Sequence, residues 1–169
     1  MENIFSHVKL LQTMQNRKIE ITYAEYPSMA ELPAEERDLL QKAIDATATA
    51  YSPYSHFCVG AAVLLANGET VTGSNQENVA YPSGLCAERT AMFAASARYP
   101  KVPMRKIAIV GKDQNGNLCP ATPCGACRQV MSEYQDVAGQ NLQIILYSNG
   151  GTVLVFDGID SLLPLRFSF

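Results

Sequence analysis

The chain has no run of basic residues anywhere in its 169 positions, and its net charge is −3. A protein that grips DNA or RNA neutralises phosphates with a basic face, so nucleic acid is not an expected partner. Also missing is any stretch near the roughly 20 consecutive apolar residues of a membrane span, and no membrane partner is expected. The opening residues, MENIFSHVKLLQTMQNRK, have neither the basic start nor the long apolar centre of a secretory signal. There are five cysteines, an odd number, which argues against a disulfide framework. No internal repeat or low-complexity tract is present. These absences point to a cytoplasmic protein whose partner is a small, uncharged molecule.

What is there suits one ordinary domain. An apolar fraction of 47% can build a full core without disulfide staples. Residues 1–27 read as an N-terminal appendage, and residues 28–169 as the domain proper. Within the appendage, Lys18 to Tyr23 alternates polar and apolar, which predicts a half-buried strand at a sheet edge or against a neighbouring subunit. Pro33 and the acids after it mark a helix start, and Leu40, Ile44, Ala48 and Tyr51 continue at helical spacing. Strands are expected over 57–65 and 69–75 around the Asn67-Gly68 turn, then over 106–110, 142–147 and 152–157. Helices are expected from Cys86 to about Arg98, from Pro123 to about Tyr134, and briefly near the C-terminus. That order predicts a three-layer α/β/α sandwich around a mixed sheet of about five strands.

Two short segments carry the chemistry: Cys86-Ala87-Glu88 and Pro123-Cys124-Gly125-Ala126-Cys127. Three thiolates can hold a Zn²⁺ ion, one per chain, and leave its fourth tetrahedral position open to water. An open position separates a catalytic zinc from a structural one. Glu88 is too close in sequence to Cys86 to serve easily as the fourth ligand, but it can move protons at the open position. Helix N-termini lower a thiol's pKa, so all three cysteines stand where thiolates are favoured. Three thiolates over-neutralise a divalent ion. Arg89 and Arg128 are expected to offset this by hydrogen bonds to sulfur. The plainer alternatives are a closed four-cysteine site using Cys119, a redox pair of Cys124 and Cys127, and solvated arginines. Cys58 reads as a core thiol. His7 and His56 say little, and His56 reads as a loop or capping residue.

Further motifs agree in order and spacing. Tyr51-Ser52-Pro53-Tyr54-Ser55-His56-Phe57, Gly73-Ser74-Asn75-Gln76-Glu77-Asn78, Tyr81-Pro82, Leu85 to Ala91, Pro123 to Met131 and Leu162 to Phe167 together resemble the cytidine deaminase family, from about residue 36 to 167. The resemblance implies zinc ligands at Cys86, Cys124 and Cys127, and a proton shuttle at Glu88. It implies ribose 3′-hydroxyl binding by Asn75 and Glu77, and an aromatic against the pyrimidine at Phe57. It also implies a homotetramer in which Phe167 enters a neighbouring subunit's site. Gln76, Cys58, Val79 and Ser83-Gly84 depart from the usual pattern, and Val79 adds bulk beside the sugar pocket.

The resulting expectation is a zinc hydrolase of pyrimidine salvage that converts cytidine and deoxycytidine to their uridine counterparts and ammonia. Its rivals are a deaminase of polynucleotides, a deaminase of a related nucleoside-like compound, and a non-catalytic zinc-binding scaffold. The acidic balance and the Asn75/Glu77 pair argue against the first two.

Overall fold

The computed structural model describes residues 14–168. His7 and the start of the appendage lie outside them. Seven strands form one mixed sheet: β1 (Ala24–Tyr26), β2 (Cys58–Leu65), β3 (Thr70–Ser74), β4 (Met104–Lys112), β5 (Leu118–Cys119), β6 (Gln143–Tyr147) and β7 (Val153–Phe156). Among the described residues three α-helices flank it: α1 (Ala34–Ala46), α2 (Ala87–Arg98) and α3 (Gly125–Ala138). The spatial order is β1-β7-β6-β4-β2-β3, with β5 paired to β4 off that path. Only β4 and β6 are parallel neighbours, joined by the crossover through α3. The other pairings are antiparallel.

The three layers follow from the alternation of side chains along each strand. On β2, Ala61, Val63 and Leu65 face one way and join a core with Ala87, Ala91, Met92 and Ala95 of α2 and Met131 of α3. Ala62 and Leu64 face the other way and join Leu39, Leu40 and Ala43 of α1. Both faces of the sheet are therefore covered, which is why β2 and β4 read as nearly continuous apolar runs.

Five of the seven strands are the expected ones. The two additions are short, and neither has enough length for a period to show. β1 also corrects the appendage. The alternating segment 18–23 is exposed and outside regular structure, and pairing begins only at Ala24, where Val155 of β7 is opposite. An alternating pattern needs a partner strand, and the sheet edge does not extend to residues 18–23. The expected first helix ends at Ala46 and runs on as a 3₁₀ turn over Thr47–Thr49. The expected C-terminal helix is a single 3₁₀ turn, Ile159–Ser161. Among the described residues, no helix is long and apolar enough to cross a membrane.

Close backbone approach places α2. A Cβ at Gly73 of β3 would lie 2.4 Å from the Ala91 nitrogen and 2.8 Å from the Ala87 carbonyl oxygen. On the opposite face, a Cβ at Gly60 of β2 would lie 1.9 Å from the Ala43 carbonyl oxygen. Both helices rest on bare sheet backbone at these points, and helix backbone cannot yield as a flexible side chain would. Gly73→Ala should therefore lift α2 and destabilise the fold by about 3 kcal/mol, the upper part of the usual overpacking range. That corresponds to a melting temperature lower by roughly 6–12 °C. Calorimetry giving an unchanged melting temperature would show that the helix is not seated on Gly73.

Candidate metal centre and substrate pocket

Cys86 is the N-cap of α2, and Cys124 is the N-cap of α3. Pro123 thus stands one residue before the cap, and α3 begins at Gly125. Cys127 lies in the first turn of α3 and is buried. The two helices start at the same end of the sheet, so three sulfurs from two distant segments meet. They lie within 4.8 Å of one another, the only such cluster of metal-ligating groups among the described residues. The Cys86–Cys124 and Cys124–Cys127 sulfur separations are 3.9 and 3.5 Å. Tetrahedral zinc with Zn–S bonds of about 2.3 Å has sulfurs about 3.8 Å apart, so the donor set fits this ion.

Cys119 does not join the cluster. Its sulfur lies beside Gly111, 3.1 Å from where a Cβ there would sit, and is not among the three sulfurs that cluster. That geometry disfavours the closed four-cysteine arrangement. Among the described residues all five cysteines are free.

The cluster's protonation follows from its crowding. A hydrogen bond from the Cys127 thiol draws the Cys86 thiol down to about 5, with help from Arg89 and against the cost of burial. Cys127, the donor in that bond, is pushed far up. Glu88 is 4% exposed, and burial raises its carboxyl above the usual range, with the nearby Cys86 sulfur adding to the effect. A buried carboxyl with raised proton affinity beside a metal site is equipped to accept and return protons.

The two arginines divide. Arg89, three residues after Cys86, donates from Nη2 to the Cys86 sulfur at 3.8 Å. Its Nε is buried with no hydrogen-bond partner. Arg128 corrects the expectation. Its Nε donates to the Pro123 carbonyl at 2.8 Å and its Nη1 to the Leu162 carbonyl at 2.7 Å. One residue past Cys127 the helix has turned by about 100°, so this guanidinium serves the chain's C-terminal segment instead of a sulfur.

Two adjoining depressions share Ser55, Asn75, Glu77 and Cys86. One, of about 380 Å³, is also lined by Phe57, Val59, Glu88, Ala121 and Cys124. The other, of about 430 Å³, is lined by Tyr54, Gln76, Asn78, Tyr81, Leu85 and Arg89. The chemistry belongs to the first, because only it contains Glu88 and Cys124. Phe57 forms one wall, and its ring rests on bare backbone: a Cβ at Gly111 would lie 2.7 Å from Phe57 Cζ.

Asn75 and Glu77 stand at the pocket's mouth, each already engaged. Asn75 accepts from the Val59 amide at 2.7 Å and donates to the Phe57 carbonyl at 2.9 Å. Glu77 accepts from the Ser55 hydroxyl and from the Tyr54 and Ser55 amides. The Ser55 bond, then the Tyr54 bond, hold the Glu77 carboxyl below its usual range. Some hydrogen-bonding capacity remains. An ionised carboxylate has about four lone-pair sites and an amide NH₂ has two donors. Glu77 keeps an acceptor, and Asn75 keeps a donor.

Phe167 is 67% exposed and does not line the pocket of its own chain. Arg166 beside it is held by Asp136 at 2.8 Å, Asp160 at 3.1 Å and the Ser132 hydroxyl at 2.9 Å. Sequence reasoning missed this anchor, as it missed Ser55 and Gly111. Only Ser55 left a signal: a hydroxyl two residues before Phe57, placed to form a local turn.

A three-sulfur centre with one position to spare, beside a buried carboxyl and a pocket of small-molecule size, defines a hydrolytic zinc enzyme. Residues 33–139 match the family model for the cytidine and deoxycytidylate deaminase zinc-binding region, and the chain belongs to that family. The cytidine deaminase of Halalkalibacterium halodurans is 45% identical over 95 residues, covering 56% of this chain and 68% of that protein. That of Mycoplasma genitalium is 36% identical over 118 residues, covering 70% and 84%. The crystal structure of cytidine deaminase from Burkholderia pseudomallei aligns with a TM-score of 0.67 at 38% identity, over 80% of this chain and 100% of that one. The Mycobacterium tuberculosis structure aligns at 0.61 and 34%, over 81% and 100%.

The purified protein should carry about one zinc per chain. Cys127→Ser should lose most of it, whereas Cys119→Ser should keep it, as read by elemental analysis after gel filtration. Loss of metal from the Cys119 variant would restore the four-cysteine site.

Proposed function

We propose that this chain hydrolytically deaminates cytidine and deoxycytidine, releasing ammonia and the uridine counterpart, as a step of pyrimidine salvage. The observation that carries the reading is Glu88, buried in the same pocket as Cys86 and Cys124, with its carboxyl raised by burial. The relatives described above bear the name cytidine deaminase.

Zinc on Cys86, Cys124 and Cys127 would supply a water of lowered pKa next to the base. The remaining work falls to the chain. Glu88 takes one proton from the water that adds to C4 and delivers it to ring N3, which makes C4 more electrophilic. It then takes the second proton of that oxygen and delivers it to the amine as the C4–N bond breaks and ammonia leaves, and so acts as base and as acid. Arg89 offsets the charge of three thiolates. Phe57 packs against the pyrimidine. The acceptor left on Glu77 and the donor left on Asn75 match a sugar hydroxyl, which is itself one donor and one acceptor. That match supports the 3′-hydroxyl of ribose as their ligand.

We further propose a homotetramer with shared sites. Tyr51, Tyr54, Val79, Tyr81, Leu165 and Phe167 are all exposed. Apolar surface on this scale favours docking. Arg166 fixes the tail, so Phe167 is presented outward, where a neighbouring pocket could receive it. Residues 28–169 would form the deaminase domain, with residues 1–27 an appendage that supplies the edge strand β1. Free thiols that must act as thiolates suit a reducing, cytoplasmic setting.

An ultraviolet assay with cytidine, deoxycytidine, CMP and cytosine in parallel tests the reading. Cytidine should be turned over, and Glu88→Gln should keep zinc and fold while losing about 10²–10⁴-fold or more in rate. Near-normal turnover by that variant would sink the mechanism. For the assembly, Phe167→Ala should raise KM for cytidine, and truncation after Pro164 should raise it further and loosen the oligomer. A fully active monomer in sedimentation at assay concentration would refute shared sites and leave the zinc chemistry intact.

A further inference from the structure

Resting on the reading above, we propose that Ser55 is a positioning residue that couples the sugar side of the pocket to its base side through one hydroxyl. Ser55 Oγ donates to the Glu77 carboxylate and accepts from the Phe57 amide at 3.1 Å. Its own amide also points to Glu77, at 3.3 Å. The residue between Ser55 and Phe57 is His56, whose φ of +55° lies in the left-handed region. A non-glycine residue there stores strain, and such strain persists only where the surroundings over-determine it. Here the Phe57–Ser55 bond spans the strained residue, and the His56 amide itself donates to the Ser52 carbonyl at 3.0 Å. The Ser55–Glu77 bond anchors the near end of that turn.

The direction of coupling follows from the geometry. Without the hydroxyl, Glu77 keeps the Tyr54 and Ser55 amides on Oε2 but loses the charge-assisted donor on Oε1, so the orientation that leaves its last lone pair available loosens. The Phe57 amide loses its acceptor, and the His56 strain can relax. Phe57 Cζ sits over the bare backbone of Gly111, with the Cys119 sulfur beside the same spot, so the ring's setting depends on how the backbone at Phe57 is held. Both contacts loosen together. Ser55 lines both depressions, yet it is assigned no contact with the substrate.

The test uses the zinc-loaded enzyme well below its melting temperature. Ser55→Ala should raise KM for cytidine roughly tenfold, as expected for losing a hydrogen bond to a charged group, while kcat changes much less. Ser55→Thr, which keeps the hydroxyl, should restore KM. In a Glu77→Gln background the Ser55→Ala effect on KM should shrink to about twofold, because the charged partner is already gone. Should Ser55→Ala fail to fold, Ser55→Cys keeps the size with a weaker donor and carries the same comparison. A folded Ser55→Ala enzyme with unchanged KM would overturn the proposal while wild-type activity on cytidine stands. Equal Ser55→Ala effects in both backgrounds would also overturn it. A wild-type enzyme inactive on cytidine would overturn the reading beneath it as well.

Discussion

The meeting of two helix N-termini at one end of the sheet is the constraint on which the rest of this structure depends. Each terminus presents unpaired amides and a partial positive charge, and each places cysteine at its cap. Sulfurs are brought within 4.8 Å only because the helices are seated at fixed depth on the sheet. That depth is set by backbone contact at Gly73, where α2 lies against β3 without a side chain between them. A metal centre built from cysteines 38 positions apart in sequence thus relies on a glycine that no zinc-ligand motif contains. The same seating buries Glu88. Its proton affinity is therefore a consequence of helix placement as much as of local chemistry.

The α3 helix then extends the site's influence to the tail. Arg128 holds the Leu162 carbonyl, and Gln129 holds the Phe167 carbonyl at 3.0 Å. Arg166 reaches back to Asp136 and Ser132 on the same helix. The helix that supplies two of the three sulfurs therefore also sets the direction in which the chain's last apolar residues point. Buried Gln135 reinforces this from inside, accepting from the Leu142 and Ile159 amides and so tying α3 to the strand and turn on either side. Two of the three sulfurs and the anchors of the tail thus share one helix, so a change in its placement should be felt at both.

Much of this was legible in the sequence where spacing alone decides geometry. Cys86 and Glu88 at a helix start, and Cys124 and Cys127 at the next, needed only the rules of helix termini. Arg89 at i+3 from Cys86 was legible for the same reason. Arg128 was not, because its neighbour relation to Cys127 is along the chain and not along a helix face. The layers were legible from strand alternation, whereas the edge strand was misplaced by a few residues. Period reveals a strand but not where its pairing ends, and the pairing with β7 stops at Ala24, opposite Val155. Ser55 escaped because only its bond to the Phe57 amide is local; Glu77, 22 residues away, becomes a neighbour only in the folded chain.

Asn75 and Glu77 show why a structural and a functional reading of one residue need not compete. Viewed by sequence, a polar pair at a strand end is either turn chemistry or a ligand site. In the folded chain both side chains bond to backbone, Asn75 at Phe57 and Val59 and Glu77 at Tyr54 and Ser55. Those bonds satisfy most of their capacity but not all of it. What remains is one donor and one acceptor, held in place before any ligand arrives. A ligand hydroxyl that meets them pays little of the ordering cost that a mobile pair would impose. On the proposed reading, the turn bonds are the means by which the pair becomes selective: fixing most of its capacity within the chain leaves geometry for one more partner.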